Sequence, residues 1–147
     1  MKRVLPAFVL LNLLACVVPV LAQSDCAGSE LACRSRISYF NSDGSYYRAE
    51  LFDGESAKLR TTFYSGMVYR IVPCGTSSQG KPLLVEIYDH RGVGVFHSRT
   101  YPEKGYYDIR FGATGQYTVE VRFEQGEGCA SLLVGYLDQA TADRMGL

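Results

Sequence analysis

From Tyr46 onward, apolar residues fall in short runs in which they alternate with polar ones, and most of the runs stop at turn residues. In Gln116–Phe123, Tyr117, Val119, Val121 and Phe123 share one face, while Thr118, Glu120 and Arg122 share the other. A period of two with one wet side marks a strand of an antiparallel sheet. Seven further runs read as strands: 46–52, 57–64, 67–74, 83–88, 93–98, 106–111 and 129–137. Short strands divided by Asp-Gly, Ser-Gly and Gly-rich turns predict an antiparallel sandwich or barrel. The 11 tyrosines and many valines suit half-buried pleated surfaces.

Two of the runs are apolar on both sides. In 67–74, Tyr69 and Ile71 share one face, and Val68 and Val72 flank Arg70 on the other. In 129–137, Leu132, Val134 and Tyr136 oppose Leu133 and Leu137. Such strands need a cover on their outer face. Segment 25–41 supplies it as a predicted helix, because Cys26, Glu30, Cys33, Ile37 and Phe40 recur at near-helical spacing. Ser24 or Asp25 can cap its start, and Asn41 and Gly44 can end it. A helix sets Cys26 and Cys33 about 10 Å apart along its axis. A disulfide spans Cα atoms up to about 7 Å, so each cysteine has to reach the sheet instead.

The N-terminal pattern changes what those cysteines mean. Met1-Lys2-Arg3 precedes an apolar run from Val4 to Val18, then Pro19 and Val20-Leu21-Ala22. That order is a secretory signal peptide over 1–22, cleaved after Ala22. The apolar run is shorter than the roughly 20 residues of a membrane span, so no transmembrane segment is expected in the mature chain. An alternative is lipid attachment at Cys16, after Leu13-Leu14-Ala15, although apolar residues continue past it. The remaining chain reads as one domain over 23–137, including the helical segment, with a short tail over 138–147. Cys26, Cys33, Cys74 and Cys129 stay in the exported chain, and an even set there reads as disulfides. Their spacings of 7, 41 and 55 residues lack the close pairs of a zinc site. The 15 basic and 15 acidic side chains balance before cleavage removes Lys2 and Arg3. No basic patch suggests nucleic acid.

The stretches "SGMVYRIVPCG", "KPLLVEIYDHRGVGVFHS", "TGQYTVEVRF" and "GCASLLVGYL" resemble a group of uncharacterised exported bacterial β-sandwich proteins. More distantly, they are similar to the bacterial pre-peptidase C-terminal domain, a secreted jelly-roll-like sandwich. The resemblance covers roughly 45–137, and the N-terminal cysteine segment lies outside it. It implies an all-β, two-sheet antiparallel jelly roll of about eight strands, with the short N-terminal helix packed on one sheet. In that topology the third strand lies beside the eighth, so Cys74 and Cys129 meet at one end of a sheet. They can bond to each other, or each can capture a cysteine of the covering helix. The second pairing is preferred, because the apolar outer face needs a cover and the helix needs an anchor.

Candidate chemistry is sparse. His90 and His97 are the only histidines, and neither a G-x-S-x-G nor an H-E-x-x-H motif is present. Glu86 and Glu120 could form a glycosidase pair. On the jelly-roll map, however, they sit on neighbouring strands with Arg60 and Arg122, as a ladder of exposed cross-strand charges. Asn41, Asp43, Gly44 and Glu50 match positions 3, 5, 6 and 12 of a calcium loop, but Tyr39 stands where its first aspartate belongs. No metal or cofactor is expected. The adjacent pairs Tyr46-Tyr47 and Tyr106-Tyr107 each turn one ring outward if they lie in strands. Outward tyrosines can bury against a protein or stack on a polymer, or simply cover the sheet. The expectation is a non-catalytic binding or scaffolding module for an extracellular protein or polymer partner, not an enzyme. A structural component of the cell envelope is the alternative, and a hydrolase with an unrecognised site ranks below both.

Overall fold

The computed structural model describes residues 26, 28–101 and 105–147. The signal peptide expected over 1–22 and the lipidation alternative at Cys16 lie outside the described residues.

Eight strands follow one another: β1 (Tyr46–Leu51), β2 (Ser56–Phe63), β3 (Met67–Cys74), β4 (Leu83–Tyr88), β5 (Gly94–His97), β6 (Tyr107–Arg110), β7 (Gly115–Phe123) and β8 (Gly128–Asp138). Most bounds fall within a residue or two of the alternation in the sequence. The strands form two four-stranded sheets in the orders β1-β8-β3-β6 and β2-β7-β4-β5, and every pairing is antiparallel. Apart from the β4–β5 hairpin, successive strands therefore alternate between sheets, which is the jelly-roll sandwich. Between the sheets lies one core that includes Leu51, Phe63, Ile71, Val85, Ile87, Val119, Phe123 and Leu132. Aromatic rings fill one end of it: Phe63 stacks on Phe111 at 4.3 Å and meets the edge of Tyr69 at 4.6 Å. The buried Tyr69 hydroxyl accepts a hydrogen bond from the Tyr64 backbone N–H at 2.9 Å, so its polar end is satisfied.

The outer face of β3 and β8 is covered, as its double apolarity requires, but by two pieces. Cys33, Ile37 and Tyr106 pack on Val72, Cys74 and Leu133. Phe40, Ile37, Ala142 and Leu147 pack on Val68 and Leu137. Ala142 belongs to a short α-helix, α1 (Gln139–Arg144), whose start is capped by the Asp138 carboxylate accepting from the Thr141 N–H at 2.9 Å. The expected tail is thus the second half of the cover.

The helix expected over 25–41 is shorter and wound differently: a 3₁₀ helix runs from Leu31 to Ile37, with turns on either side. Gly28 adopts φ 89° and Tyr39 φ 79°, and an α-helix cannot pass through left-handed residues. The buried row is nevertheless the one expected, with Glu30, Cys33 and Phe40 facing the sheet. Disulfides join Cys26 to Cys129 and Cys33 to Cys74, with Cα separations of 5.3 and 6.0 Å. Both cysteines of the covering segment are therefore stapled to the sheet. Arg70 adds a clamp on the same face. Its guanidinium lies 4.3 Å from the Phe40 ring centre and 4.1 Å from that of Tyr106, and it donates to both Asp108 carboxylate oxygens at 2.7 Å. Among the described residues, no helix is long and apolar enough to cross a membrane.

Candidate binding groove

The two sides of the sandwich are closed unequally. On the β5 and β6 side, Phe96 stacks on Tyr101 with ring centres 5.9 Å apart and leans on Tyr107 at 5.1 Å. Those rings plug the gap between the sheets. On the β1 and β2 side, strand register points Tyr47 and Ala49 inward from β1, and Ala57, Leu59 and Thr61 inward from β2. Inward position does not bury them: Tyr47 is 45% exposed, and Ala49, Ala57, Leu59 and Thr61 are only partly buried. The physical reason is side-chain size. Alanines stand at 49, 57 and 130, where larger aliphatic residues would meet across the gap.

The result is a groove along the open side. One section of about 340 Å³ runs between Ala49 and Ala57 over Val119, Val121 and Leu132. A second section of about 250 Å³ continues past Thr61 to Val134 and Tyr136, with Asp43 and Ser45 at its rim. Tyr47 and Leu59 line both. The Asp43 carboxylate is held below its ordinary pKa, chiefly by the Ser45 N–H, which it accepts at 2.7 Å. That bond makes it a turn residue, and Asn41 pairs through its backbone with Tyr136. Among the described residues, no group of three His, Cys, Asp or Glu side chains is gathered to hold a metal ion.

The four tyrosines singled out in the sequence do not form one patch. Tyr47 lines the groove. Tyr46 turns to the outer face, where the Arg48 guanidinium lies 5.0 Å from its ring centre and donates to the buried Glu30 carboxylate at 2.9 Å. Tyr106 stacks on Arg70 and packs under the cover. Tyr107 is a core residue, 8% exposed, because its side chain points inward as the plug of the closed side. Of the second pair, Tyr106 thus takes the outer face, where the cover partly buries it, and Tyr107 the inner one. Sequence reasoning missed Leu59, Thr61 and Tyr136. Alternation does place them on an inner face, but it does not show that this face stays open.

The second sheet's wet face carries the charges expected of it. Glu86 stands opposite Glu120 across β4 and β7, and Lys58 stands opposite Glu120 across β2 and β7. The Glu86 carboxylate accepts from the Tyr88 hydroxyl at 2.7 Å and from Arg122 at 3.3 Å, with His97 Nδ1 at 3.7 Å. The Tyr88 hydrogen bond above all, then Arg122 and His97, hold Glu86 below the ordinary carboxylate range against the opposing effect of burial. A glycosidase general acid needs the opposite shift. His90 sits in the β4–β5 turn, apart from this cluster's hydrogen bonds.

No family model matches the chain, and no curated protein is similar to it in sequence. Solved structures do match it. PliG of Aeromonas hydrophila, a periplasmic lysozyme inhibitor of g-type lysozyme, superposes with a TM-score of 0.51 at 10% identity, over 63% of this chain and 85% of PliG. The pre-peptidase C-terminal domain of a collagenase from Bacillus anthracis matches with a TM-score of 0.46 at 12% identity, over 61% of this chain and 87% of that domain. The fold is one this chain shares with PliG.

Proposed function

We propose that this chain is an exported, non-catalytic binding domain that holds a protein partner outside the cytoplasm through the open β1–β2 side of its sandwich. The observation that carries the reading is the 45% exposure of Tyr47 and the incomplete burial of Leu59, inward-facing residues on both edges of a sandwich that is plugged on its other side. A cleft of apolar side chains with a tyrosine at its mouth suits a buried anchor from a partner. The Glu86 carboxylate supports the non-catalytic part, since its hydrogen bonds from Tyr88 and Arg122 hold it below the ordinary carboxylate range. The two disulfides suit an oxidising compartment, and the signal peptide over 1–22 gives the route, with a mature chain starting at Gln23. PliG carries this fold and is a periplasmic inhibitor of a protein, so a g-type lysozyme is the first purified protein to offer.

The test is quantitative capture from envelope and medium extracts, comparing the wild type with Tyr47→Arg and Val93→Arg. Val93 is exposed in the β4–β5 turn, away from the groove. The expected result is one protein retained by the wild type and Val93→Arg but lost by a folded Tyr47→Arg. Equal retention by all three variants, or retention of a polysaccharide alone, overturns the proposal.

A further inference from the structure

The geometry points to how that partner binds: we infer that it supplies an extended segment that pairs with the outer edge of β2 as an added strand, with apolar residues alternating with acidic ones. This rests on the reading of the open side as a binding groove. β2 ends its sheet and pairs only with β7 among the described residues. Its other edge therefore presents unpaired backbone N–H and C=O groups.

Natural sandwiches blunt such edges with short strands, bulges, proline, inward charges or charged side chains along the edge. β5 and β6 follow that rule: each has four residues, and the β4–β5 register shifts between Ile87 and Tyr88. β2 does so only through the charges of Lys58 and Arg60. It has eight residues, no proline and an unbroken register from Ser56 opposite Arg122 to Phe63 opposite Gly115. Its inward positions are Ala57, Leu59, Thr61 and Phe63, with no charge among them. The one lysine, Lys58, lies on the wet face with its side chain 61% exposed. This is a long, regular edge left open beside an apolar cleft.

A strand laid on that edge continues the sheet, and its side chains alternate between two settings. One set closes over Leu59 and Ala57 toward Tyr47. The other set lies beside Lys58 and Arg60. Lys58 reaches Glu120 at 3.4 Å, while Arg60 makes no ion pair among the described residues. Cross-strand neighbours of opposite charge stabilise a sheet and like charges destabilise it, so the wet-face residues of the added strand are acidic. The same charges disfavour a second copy of this chain. Two β2 edges joined about a two-fold axis would bring one Lys58–Arg60 pair alongside the other.

The test uses three synthetic octapeptides with ¹⁵N-labelled, fully oxidised protein: alternating Glu-Val, alternating Lys-Val, and the Glu-Val peptide N-methylated at alternate residues. The Glu-Val peptide is expected to shift the amides of 57–62 and slow exchange of alternate β2 amides. Binding should weaken about tenfold or more with the Lys-Val peptide, with N-methylation, and with Arg60→Glu. If the N-methylated peptide binds equally well, with shifts at Tyr47 and Tyr136, strand addition is wrong while the groove stands. If millimolar Glu-Val peptide moves neither β2 nor the groove, both readings fail. Concentration-dependent dimers that protect β2 would replace the partner with a second copy and overturn the inference.

Discussion

Tyr47 and Leu59 belong to different sheets yet line the same groove from end to end. The opening exists because small residues flank them, so filling it should stabilise the fold and abolish binding. Ala57→Leu is expected to raise stability by about 0.5–2 kcal/mol, as cavity-filling changes commonly do. Thermal unfolding and partner capture should therefore move in opposite directions. A stabilised Ala57→Leu variant that still binds would place the contact elsewhere.

Gly135 in β8 lies directly beneath the covering segment. A methyl group there would stand 2.7 Å from the Phe40 Cβ and 2.9 Å from Ile37 Cγ1. Gly135→Ala should cost about 1–3 kcal/mol through overpacking. Gly112→Ala, where nothing lies within 4 Å of the added carbon, should be close to neutral. Urea unfolding of the two variants reads the contrast.

Peptide mapping of exported protein should return the cross-links Cys26–Cys129 and Cys33–Cys74, with none of the four thiols free under denaturing conditions. The double variant Cys33→Ala/Cys74→Ala should lose about 2–5 kcal/mol, typical of removing a native disulfide from a small secreted domain. It should also expose Val72 and Leu133, which the Cys33 region covers, and so increase dye binding to apolar surface. A Cys74–Cys129 cross-link would contradict the covering role of the segment.

The fold was legible in the sequence because alternation sets faces and turns set lengths. The two-sided apolarity of 67–74 and 129–137 announced a cover, and the spacing of Cys26, Cys33 and Phe40 named its buried row. Winding was not legible, since Gly28 and Tyr39 take left-handed backbones that only the staples and packing impose. The C-terminal half of the cover was missed because Ala142 alone gives α1 an apolar face too small to read. The site was half legible. Tyr47 was singled out, but Tyr107, inward on β6 at the other end of the same sheet, is buried against Phe96, and Tyr106 is partly buried beneath the outer cover, because exposure depends on what packs against each edge and face.

Acid should weaken the wet-face cluster in a defined direction. The folded Glu86 carboxyl lies below its reference pKa of 4.5, so its contribution is complete above that value and is lost as pH falls through the folded pKa. Tyr88→Phe removes the largest cause, the hydroxyl hydrogen bond. Its Glu86 should titrate closer to the ordinary range, and unfolding free energy should fall less steeply with acidification. Carbon-detected NMR of the Glu86 carboxyl measures the shift directly. An unchanged titration in Tyr88→Phe would contradict the assigned cause.

The binding claim is tested most directly by placing a photo-reactive phenylalanine analogue at position 47, 136 or 93 of the exported protein and irradiating it in its own compartment. Residues 47 and 136 line the groove, and 93 lies in the β4–β5 turn. The expected result is the same protein adduct from 47 and 136, none from 93, and loss of the adduct when Ala57→Leu fills the groove. Adducts from 93 alone, or an adduct from 47 that survives Ala57→Leu, would contradict the groove as the binding site.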